Sequence, residues 1–317
     1  MGMVALFVLL FPMMVSAQDN LPKLVAIIDP YPAGGLGDIL PRALANVLSE
    51  QTGHTFIIEN KPGATQMIGT YAAARAAHDG SVILFGSVTS LAINPSLRKS
   101  LPYDPIKDFE PISLTFVTPM YLIVRRDLPV NSVQELIALA KSEPGKLTYA
   151  SGGIGSSTHL AGELFKTLAG ISMLHVPYSG TGPAALDVIA GRVDMMFTAS
   201  GLANARSKLV KVLAVTSAKR AEAAPNLPTV MEAGVKGYDA TIWFGFLAPA
   251  GTPASIVNRF STEIKKAVDS GTVLQNLKGS GEDLELVGST PQEFKAFIAA
   301  EIPKWRQVIE AAHIPRQ

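Results

Sequence analysis

The sequence D-P-Y-P-A-G-G-L-G-D at residues 29–38 follows a short apolar run and precedes a stretch with helical periodicity. A second sequence, S-G-G-I-G-S-S-T-H at residues 151–159, has the same setting. Glycines allow a close backbone approach and positive φ, and the first N–H groups of a helix lack helical partners. Each turn is therefore predicted to favour an anion at a helix start, although a tight turn before a capped helix explains either turn alone.

Short apolar runs alternate with amphipathic stretches along most of the chain, which is typical of an α/β fold. After the first turn, apolar residues from Leu40 to Leu48 recur every three or four positions and predict a helix. The runs predicted as strands are, in chain order, Leu24–Ile28, Phe56–Glu59, Val82–Phe85, Tyr121–Val124, Leu147–Ala150, Met173–Val176, Val193–Phe197, Val210–Val215 and Trp243–Leu247.

Two capping patterns predict further helix starts. Ser132 is followed three positions later by Glu135, and Thr290 is followed in the same way by Glu293. A proline in a helix interior removes a hydrogen bond, so Pro303 predicts a kink or break in the last helix.

The length of 317 residues predicts two domains. Two regions, the proline-rich stretch Leu101–Pro119 and the segment Tyr238–Thr252, are interpreted as paired crossings between them. The predicted lobe 1 is discontinuous and comprises residues 18–121 and 245–317, and the predicted lobe 2 comprises residues 122–244. Paired crossings place a cleft between the lobes and suit a hinge.

The N-terminus predicts export. Residues 3–17 form an uncharged apolar run that ends in V-S-A, a small-x-small pattern typical of a cleaved leader. The run is too short to span a bilayer, so residues 1–17 are interpreted as a signal peptide and Gln18 as the first mature residue. This predicts an exported protein.

Composition narrows the classes of function. The 27 basic and 26 acidic residues leave a net charge of +1 without a basic block, which argues against nucleic acid as a partner. The chain has no cysteine, and its five histidines lack ligand spacing, so no metal or cofactor is predicted. No G-x-S-x-G, H-E-x-x-H or G-x-x-x-x-G-K-[ST] motif occurs, and no nucleophile–base pair is visible.

Several ordered motifs resemble one protein family. They include P-Y-P-A-G-G-L-G-D (30–38), L-P-Y-D-P-I-K-D-F (101–109), the run P-G-K-L-T-Y-A-S-G-G-I-G-S-S-T-H-L-A-G-E-L-F (144–165), H-V-P-Y-S-G (175–180) and W-F-G-F-L-A-P-A-G-T-P (243–253). From about Leu24 to Ile314 the chain resembles the Bug-type periplasmic receptors of the tripartite tricarboxylate transporter system.

The resemblance implies a two-lobed, type II-like periplasmic binding fold with a hinged interdomain cleft. It also implies a small organic acid as ligand, either a mono-, di- or tricarboxylate or an acidic amino acid. The implied partners are membrane transporter subunits, and the receptor is expected to be a monomer.

The resemblance also carries a ligand-binding role onto particular residues of both turns and of smaller turns after neighbouring strands. In the first turn these are Tyr31, Ala33, Gly34, Gly35, Gly37 and Asp38. In the second they are Ser151, Gly152, Gly155, Ser156, Ser157, Thr158 and His159. The smaller turns add Ser87, Thr89, Tyr178 and Thr198, since ligands of open α/β sheets lie beyond the carboxyl ends of strands.

Two of these residues have competing interpretations. Asp38 either caps its helix or binds a ligand amino group, and His159 either caps and packs or contacts the ligand. Gly155 is expected to be exposed enough for an aspartate to be tolerated by the fold. The chain departs from the family at Gly35–Asp38, where a Thr is missing, and at Thr65–Met67, where glycines are usual.

Two other functions remain open at this stage. A secreted enzyme acting on a small carboxylate would need a nucleophile and a base. A ligand-sensing partner of a membrane sensor would differ only in what the closed form contacts. A transcription regulator of this fold needs a helix-turn-helix, which residues 1–23 are too short to hold.

Overall fold

The computed structural model describes residues 21–206, 208–277 and 283–317, and the predicted leader lies outside them. The strands of this part are β1 (Leu24–Asp29), β2 (Thr55–Asn60), β3 (Val82–Ser87), β4 (Phe109–Pro119), β5 (Tyr121–Arg125), β6 (Thr148–Ser151), β7 (Leu174–Pro177), β8 (Met195–Thr198), β9 (Val210–Val215), β10 (Thr241–Pro249) and β11 (Glu285–Leu286). Its helices are α1 (Leu36–Thr52), α2 (Met67–Ala74), α3 (Asn94–Leu97), α4 (Val133–Ser142), α5 (Ser157–Ala169), α6 (Thr181–Ile189), α7 (Gly201–Arg206), α8 (Ala254–Asp269), α9 (Thr272–Asn276) and α10 (Pro291–Ala311), with a π-helical turn at Thr89–Ile93.

The strands form two sheets. The first sheet has the order β11-β4-β10-β3-β1-β2, and the second has the order β7-β6-β8-β5-β9. In the first sheet β1, β2 and β3 are parallel, whereas β10, β4 and β11 pair antiparallel. In the second sheet β6, β7 and β8 are parallel, and β5 pairs antiparallel with β8 and β9. The predicted α/β class is confirmed.

All the predicted strands are present, but the sequence interpretation missed β11 and β4. The sequence predicts a proline-rich crossing where β4 lies, yet β4 is inside the first sheet, between β10 and β11. Its prolines are accommodated at irregular places, because Pro111 pairs with Leu247 beside a register shift and Pro119 ends the strand. The crossing proper is therefore much shorter than predicted on this side.

The chain passes between the sheets at Met120 and again between β9 and β10. The Met120 N–H donates to the Thr216 hydroxyl (2.7 Å), and the Thr216 N–H donates back to the Met120 carbonyl (2.9 Å). The Ala240 N–H donates to the Thr216 carbonyl (3.1 Å), which ties the second crossing to the same point. These bonds join the two connections side by side, the arrangement that a hinge requires. The predicted lobe boundaries stay a prediction.

The predicted helix starts are confirmed. The Ser132 hydroxyl accepts from the Glu135 N–H at the start of α4, and Thr290 with Glu293 forms a complete capping box at α10. Helix α10 was expected to kink or break, but it is not broken and runs through Pro303 to Ala311.

Helix α10 packs against β4 of the first sheet and against α5 beside the second. Near its middle, buried Glu301 accepts hydrogen bonds from the indole N–H groups of Trp243 and Trp305, both at 2.9 Å. Lys304 Nζ lies 2.9 Å from the other carboxylate oxygen. This cluster fastens α10 to β10.

Candidate functional site

The first glycine-rich turn, here loop 1 (residues 29–38), joins β1 to α1. Its Tyr31 ring packs on Phe244 with a centroid distance of 5.9 Å, and Phe244 stacks on Phe85 at 5.2 Å. A Cβ at Gly37 would overlap the Tyr31 ring, so only glycine lets the helix start pass this close. The buried aromatic stack therefore fixes where the loop lies.

Two carboxyl groups of loop 1 have opposite electrostatics. Hydrogen bonding from Arg42 is the main reason that the pKa of Asp38 falls to about 2. Burial raises the pKa of Asp29 to about 7, and the Asp38 charge adds to this rise. Asn60 Nδ2 bridges them, at 2.9 Å from Asp29 Oδ2 and 2.8 Å from Asp38 Oδ1. Donors therefore keep Asp38 ionised, whereas burial disfavours the charged form of Asp29.

The Asp38 carboxylate accepts hydrogen bonds from within the protein. Its Oδ2 accepts the Gly34 N–H (2.9 Å), and its Oδ1 accepts from Arg42 (2.9 Å) as well as from Asn60. This favours the capping interpretation over contact with a ligand amino group, because both oxygens already have donors. It also removes Gly34 from the backbone N–H groups that could receive an external anion.

The N–H groups of Gly35, Leu36 and Gly37 have no acceptor within the described residues. They belong to the first turn of a 17-residue helix, where the N–H groups point out of the helix end and carry partial positive charge. Gly35 and neighbouring Ala33 are exposed. Loop 1 can therefore receive an anion here, at the positions after Gly34.

The second glycine-rich turn, loop 2 (residues 151–159), joins β6 to α5 and consumes many of its own polar groups. The Gly152 N–H donates to Thr158 Oγ1 (2.9 Å), and the Gly153 N–H donates to Ser151 Oγ (3.1 Å). Ser156 is the N-cap, and its hydroxyl accepts from the His159 N–H (3.3 Å). The predicted hydroxyl donors Ser151, Ser156 and Thr158 are thus engaged in shaping the loop.

Ser157 differs from its neighbours. Its hydroxyl and its N–H, together with the N–H groups of Ile154 and Thr158, have no partner in the part of the chain that the structure describes. The Ser157 side chain is half-buried, and Ile154 is exposed at the loop tip. These groups are the donors that loop 2 retains for a ligand.

His159 and His175 lie beneath loop 2. Their rings stack at 4.1 Å, and the Tyr149 ring stacks on His175 at 4.8 Å. The Gly155 N–H donates to His159 Nδ1 (3.2 Å), so this nitrogen carries no proton. Burial lowers the pKa of His159 to about 3 and that of His175 to about 4. These contacts favour the capping and packing interpretation of His159, and its contact with a ligand stays a prediction.

A serine–histidine pair, which sequence reasoning missed, lies in the same cluster. Ser151 Oγ is 2.6 Å from His175 Nε2, a distance typical of a nucleophile and its base. Ser151, however, is fully buried and also accepts the Gly153 N–H. A histidine with a pKa near 4 is a weak base at neutral pH. The pair supports the loop and is poorly placed for hydrolysis.

Gly155 is buried, contrary to expectation. Its φ of +82° suits glycine, and a Cβ there would overlap Leu97, the last residue of α3. Helix α3 follows β3 of the first sheet. The approach of Leu97 to Gly155 therefore brings loop 2 against the half of the molecule that contains the first sheet. An aspartate at 155 would strain the loop and push on Leu97, and it would not isolate ligand binding.

The four smaller-turn residues differ in their surroundings. Ser87 lies with Tyr31 of loop 1, whose hydroxyl faces it. Thr89 is buried, and its N–H donates to Ser87 Oγ (3.2 Å). Tyr178 lies beside loop 2, but its hydroxyl donates to Asp187 Oδ2 (2.6 Å). The Thr198 hydroxyl pairs with the Ser200 hydroxyl at 3.0 Å.

Gln66 is a residue of the loop 1 cluster that sequence analysis did not select. Its Oε1 accepts from the Ser87 hydroxyl (2.6 Å), and its side chain faces the Tyr31 hydroxyl. The departure from glycine at Thr65–Met67 was the signal that could have identified it.

Two surface cavities, of about 750 and 600 Å³, lie beside Arg306 of α10. Neither is lined by a predicted ligand contact. Among residues 21–206, 208–277 and 283–317, no group of three or more acidic or histidine side chains is arranged to hold a metal ion. Within those same ranges no helix is both long and apolar enough to cross a membrane.

Comparison with known proteins identifies the family. Residues 40–314 match the family described as "Tripartite tricarboxylate transporter family receptor". Protein BugT of Bordetella pertussis is 34% identical over 298 residues, which cover 93% of this chain and 91% of that protein.

Two solved structures share the fold. Rpa4515 of R. palustris with adipate is 35% identical with a TM-score of 0.83, covering 92% of this chain and 98% of that one. MatC from Rhodopseudomonas palustris with bound malate is 28% identical with a TM-score of 0.79, covering 90% and 98%. The predicted two-lobed fold and the predicted resemblance are confirmed, and the chain belongs to the tripartite tricarboxylate transporter receptor family.

Proposed function

We propose that this receptor captures one small organic carboxylate between loop 1 and loop 2. The observation that carries the proposal is the set of first-turn N–H groups without partners at the starts of α1 and α5. Such groups carry partial positive charge and therefore favour the binding of an anion. The relatives Rpa4515 and MatC, solved with adipate and malate, support a carboxylate as the ligand class.

The charge of Arg42, beside loop 1, is already paired with Asp38, which favours a small acid over a highly charged ligand. Arg42 contacts Asp38 (2.8 Å) and Asn60 (2.8 Å), so its charge is largely used within the loop. The remaining donors, at Gly35–Gly37 and Ser157, are neutral. Neutral donors hold a carboxylate through hydrogen bonds, whereas phosphates usually require arginine or lysine.

A thermal-shift panel tests this function. A ligand that binds only the folded state stabilises it by about 2.7 kcal/mol at a concentration of 100 Kd. We expect at least one mono-, di- or tricarboxylate or acidic amino acid to raise Tm, and the matching uncharged amides to leave it unchanged. Ser157→Ala should weaken the binding, whereas Ser172→Ala, at an exposed serine, serves as the matched control. A panel in which only sugars, cations or nucleotides raise Tm would contradict the proposal.

The partners and the moving parts belong to the same proposal. We infer that lobe 1 (18–121 and 245–317) and lobe 2 (122–244) close on the ligand as a monomer. A ligand that touches both loops gains its full contacts only in the closed form, so it shifts the equilibrium towards that form. Membrane subunits of the transporter would bind the closed form. This function requires no catalytic step.

Export to the periplasm is expected from residues 1–17. Protein recovered from a periplasmic extract should have an intact mass that corresponds to a start at Gln18. The measurement is intact mass spectrometry, with the cytoplasmic fraction of the same cells as control. Uncleaved chain found only in the cytoplasm would refute this localisation.

A further inference from the structure

We propose that Gln66 is a specificity-determining residue of the ligand site, and that it limits the length of the carboxylate that the site accepts. This inference rests on the proposed function and names the substrate class more narrowly. The supporting observation is the unusual backbone conformation of residues 64–66, between β2 and α2.

Three successive non-glycine residues there have positive φ: Ala64 at 47°, Thr65 at 53° and Gln66 at 72°. L-residues seldom adopt this region even singly, because the Cβ crowds the backbone. A strained conformation persists only where the surroundings hold it, and such strain concentrates at functional sites. Each of the three residues is therefore placed by contacts and not by its own preference.

Asn94 of α3 and Arg98, the residue that follows α3, hold the segment from outside. Asn94 Nδ2 donates to the Thr65 carbonyl (2.8 Å), and a guanidinium nitrogen of Arg98 donates to the Thr65 hydroxyl (2.9 Å). The Gln66 carbonyl accepts from the Thr70 hydroxyl (2.8 Å). Since α3 also contacts Gly155 of loop 2 through Leu97, this segment lies where the two halves of the molecule meet.

This positive-φ backbone places the Gln66 side chain against loop 1. The residue is only 8% exposed, and its Oε1 accepts the hydrogen bond that the Ser87 hydroxyl donates. Ser87 Oγ also accepts the Thr89 N–H (3.2 Å), so Ser87 has no proton left for a ligand. The carboxamide N–H groups of Gln66, beside the Tyr31 hydroxyl, replace it as the donor.

A glycine at position 66 would keep the backbone and change the site. Glycine adopts a φ of 72° without strain, so the fold should persist. Removal of the side chain opens space beside Tyr31 and frees the Ser87 hydroxyl. A longer diacid would gain room that the wild type fills with its own carboxamide.

The test uses titration calorimetry of full-length mature protein with succinate, glutarate and adipate. We expect Gln66→Gly to raise the affinity for adipate relative to succinate by about tenfold or more, the usual effect of a methylene in a fitted pocket. Gln66→Glu, which places a like charge there, should weaken the binding of all three acids. Circular dichroism and Tm verify that each variant is folded.

Ala64→Gly is the matched control, because it relieves the same kind of backbone strain, removes no side-chain hydrogen bond and retains the Gln66 side chain. Its ratio of adipate to succinate affinity should equal that of the wild type. An unchanged ratio in Gln66→Gly, or an equal change in Ala64→Gly, would overturn the inference while leaving the proposed function intact. Wild-type protein that binds no organic acid would overturn both.

Discussion

Replacement of Glu301 by alanine should destabilise the protein by about 3–5 kcal/mol, because it leaves buried donors without an acceptor. The indole N–H groups of Trp243 and Trp305 both donate to Glu301 Oε2, and both rings are fully buried. Water cannot replace the carboxylate without entering the core. Lys304, which lies 2.9 Å from the other oxygen, would also lose the nearer of its two carboxylate partners and keep Asp239 at 3.8 Å.

Denaturant titration is the appropriate measurement, since these two tryptophans are the only ones in the chain and their fluorescence reports on the cluster. Circular dichroism should be followed in parallel, because a two-lobed protein need not unfold in one step. Glu310→Ala, at an exposed position of the same helix, is the control and should change stability by less than about 0.5 kcal/mol. Similar midpoints for both variants would refute a central role for Glu301.

The sequence was a good guide where local chemistry decides the structure. The capping pairs at Ser132 and Thr290 predicted the starts of α4 and α10, because a cap satisfies N–H groups within a few residues. The glycine-rich turns were located for the same reason. Both connect a strand to a helix, and both leave first-turn N–H groups without partners in the described chain.

Contacts between distant residues decided the rest. Prolines at 111 and 119 suggested a linker, yet pairing with β10 and β11 makes this segment an inner strand. Gly155 looked exposed because nothing in its neighbourhood indicates that Leu97 covers it. Gln66 was missed since its role depends on a backbone conformation that is held by Asn94 of α3 and by Arg98, which follows that helix.

Acid should weaken the folded protein through the histidines beneath loop 2, and His159→Asn should remove part of this effect. Burial holds the pKa of His159 near 3, against a usual value of about 6.5 in an unfolded chain. Between these values the unfolded state binds a proton that the folded state excludes. Stability is therefore fully present above pH 6.5 and falls, by about 1.4 kcal/mol per pH unit for this group, as pH decreases towards 3.

The substitution is chosen to retain the local hydrogen bond. An asparagine Oδ1 can accept the Gly155 N–H in place of His159 Nδ1, so the loop should keep its shape. At pH 8 the wild type should be the more stable protein, because the variant lacks the stacking on His175. As pH falls from 6 to 4 this advantage should shrink by about 1.4 kcal/mol per unit and can reverse.

The difference between the two proteins isolates His159 from other titrating groups. The raised pKa of Asp29 opposes the histidine effect, since stability from that group is lost as pH rises towards 7, but it acts equally in both proteins. His175, whose pKa of about 4 also reflects burial, stays in both, as do Glu163 and Lys166, which lie beside the rings. Parallel stability curves from pH 8 to pH 4 would show that His159 gains its proton as readily when folded as when unfolded. The neutral Nδ1 that accepts the Gly155 N–H would then no longer explain the shape of loop 2.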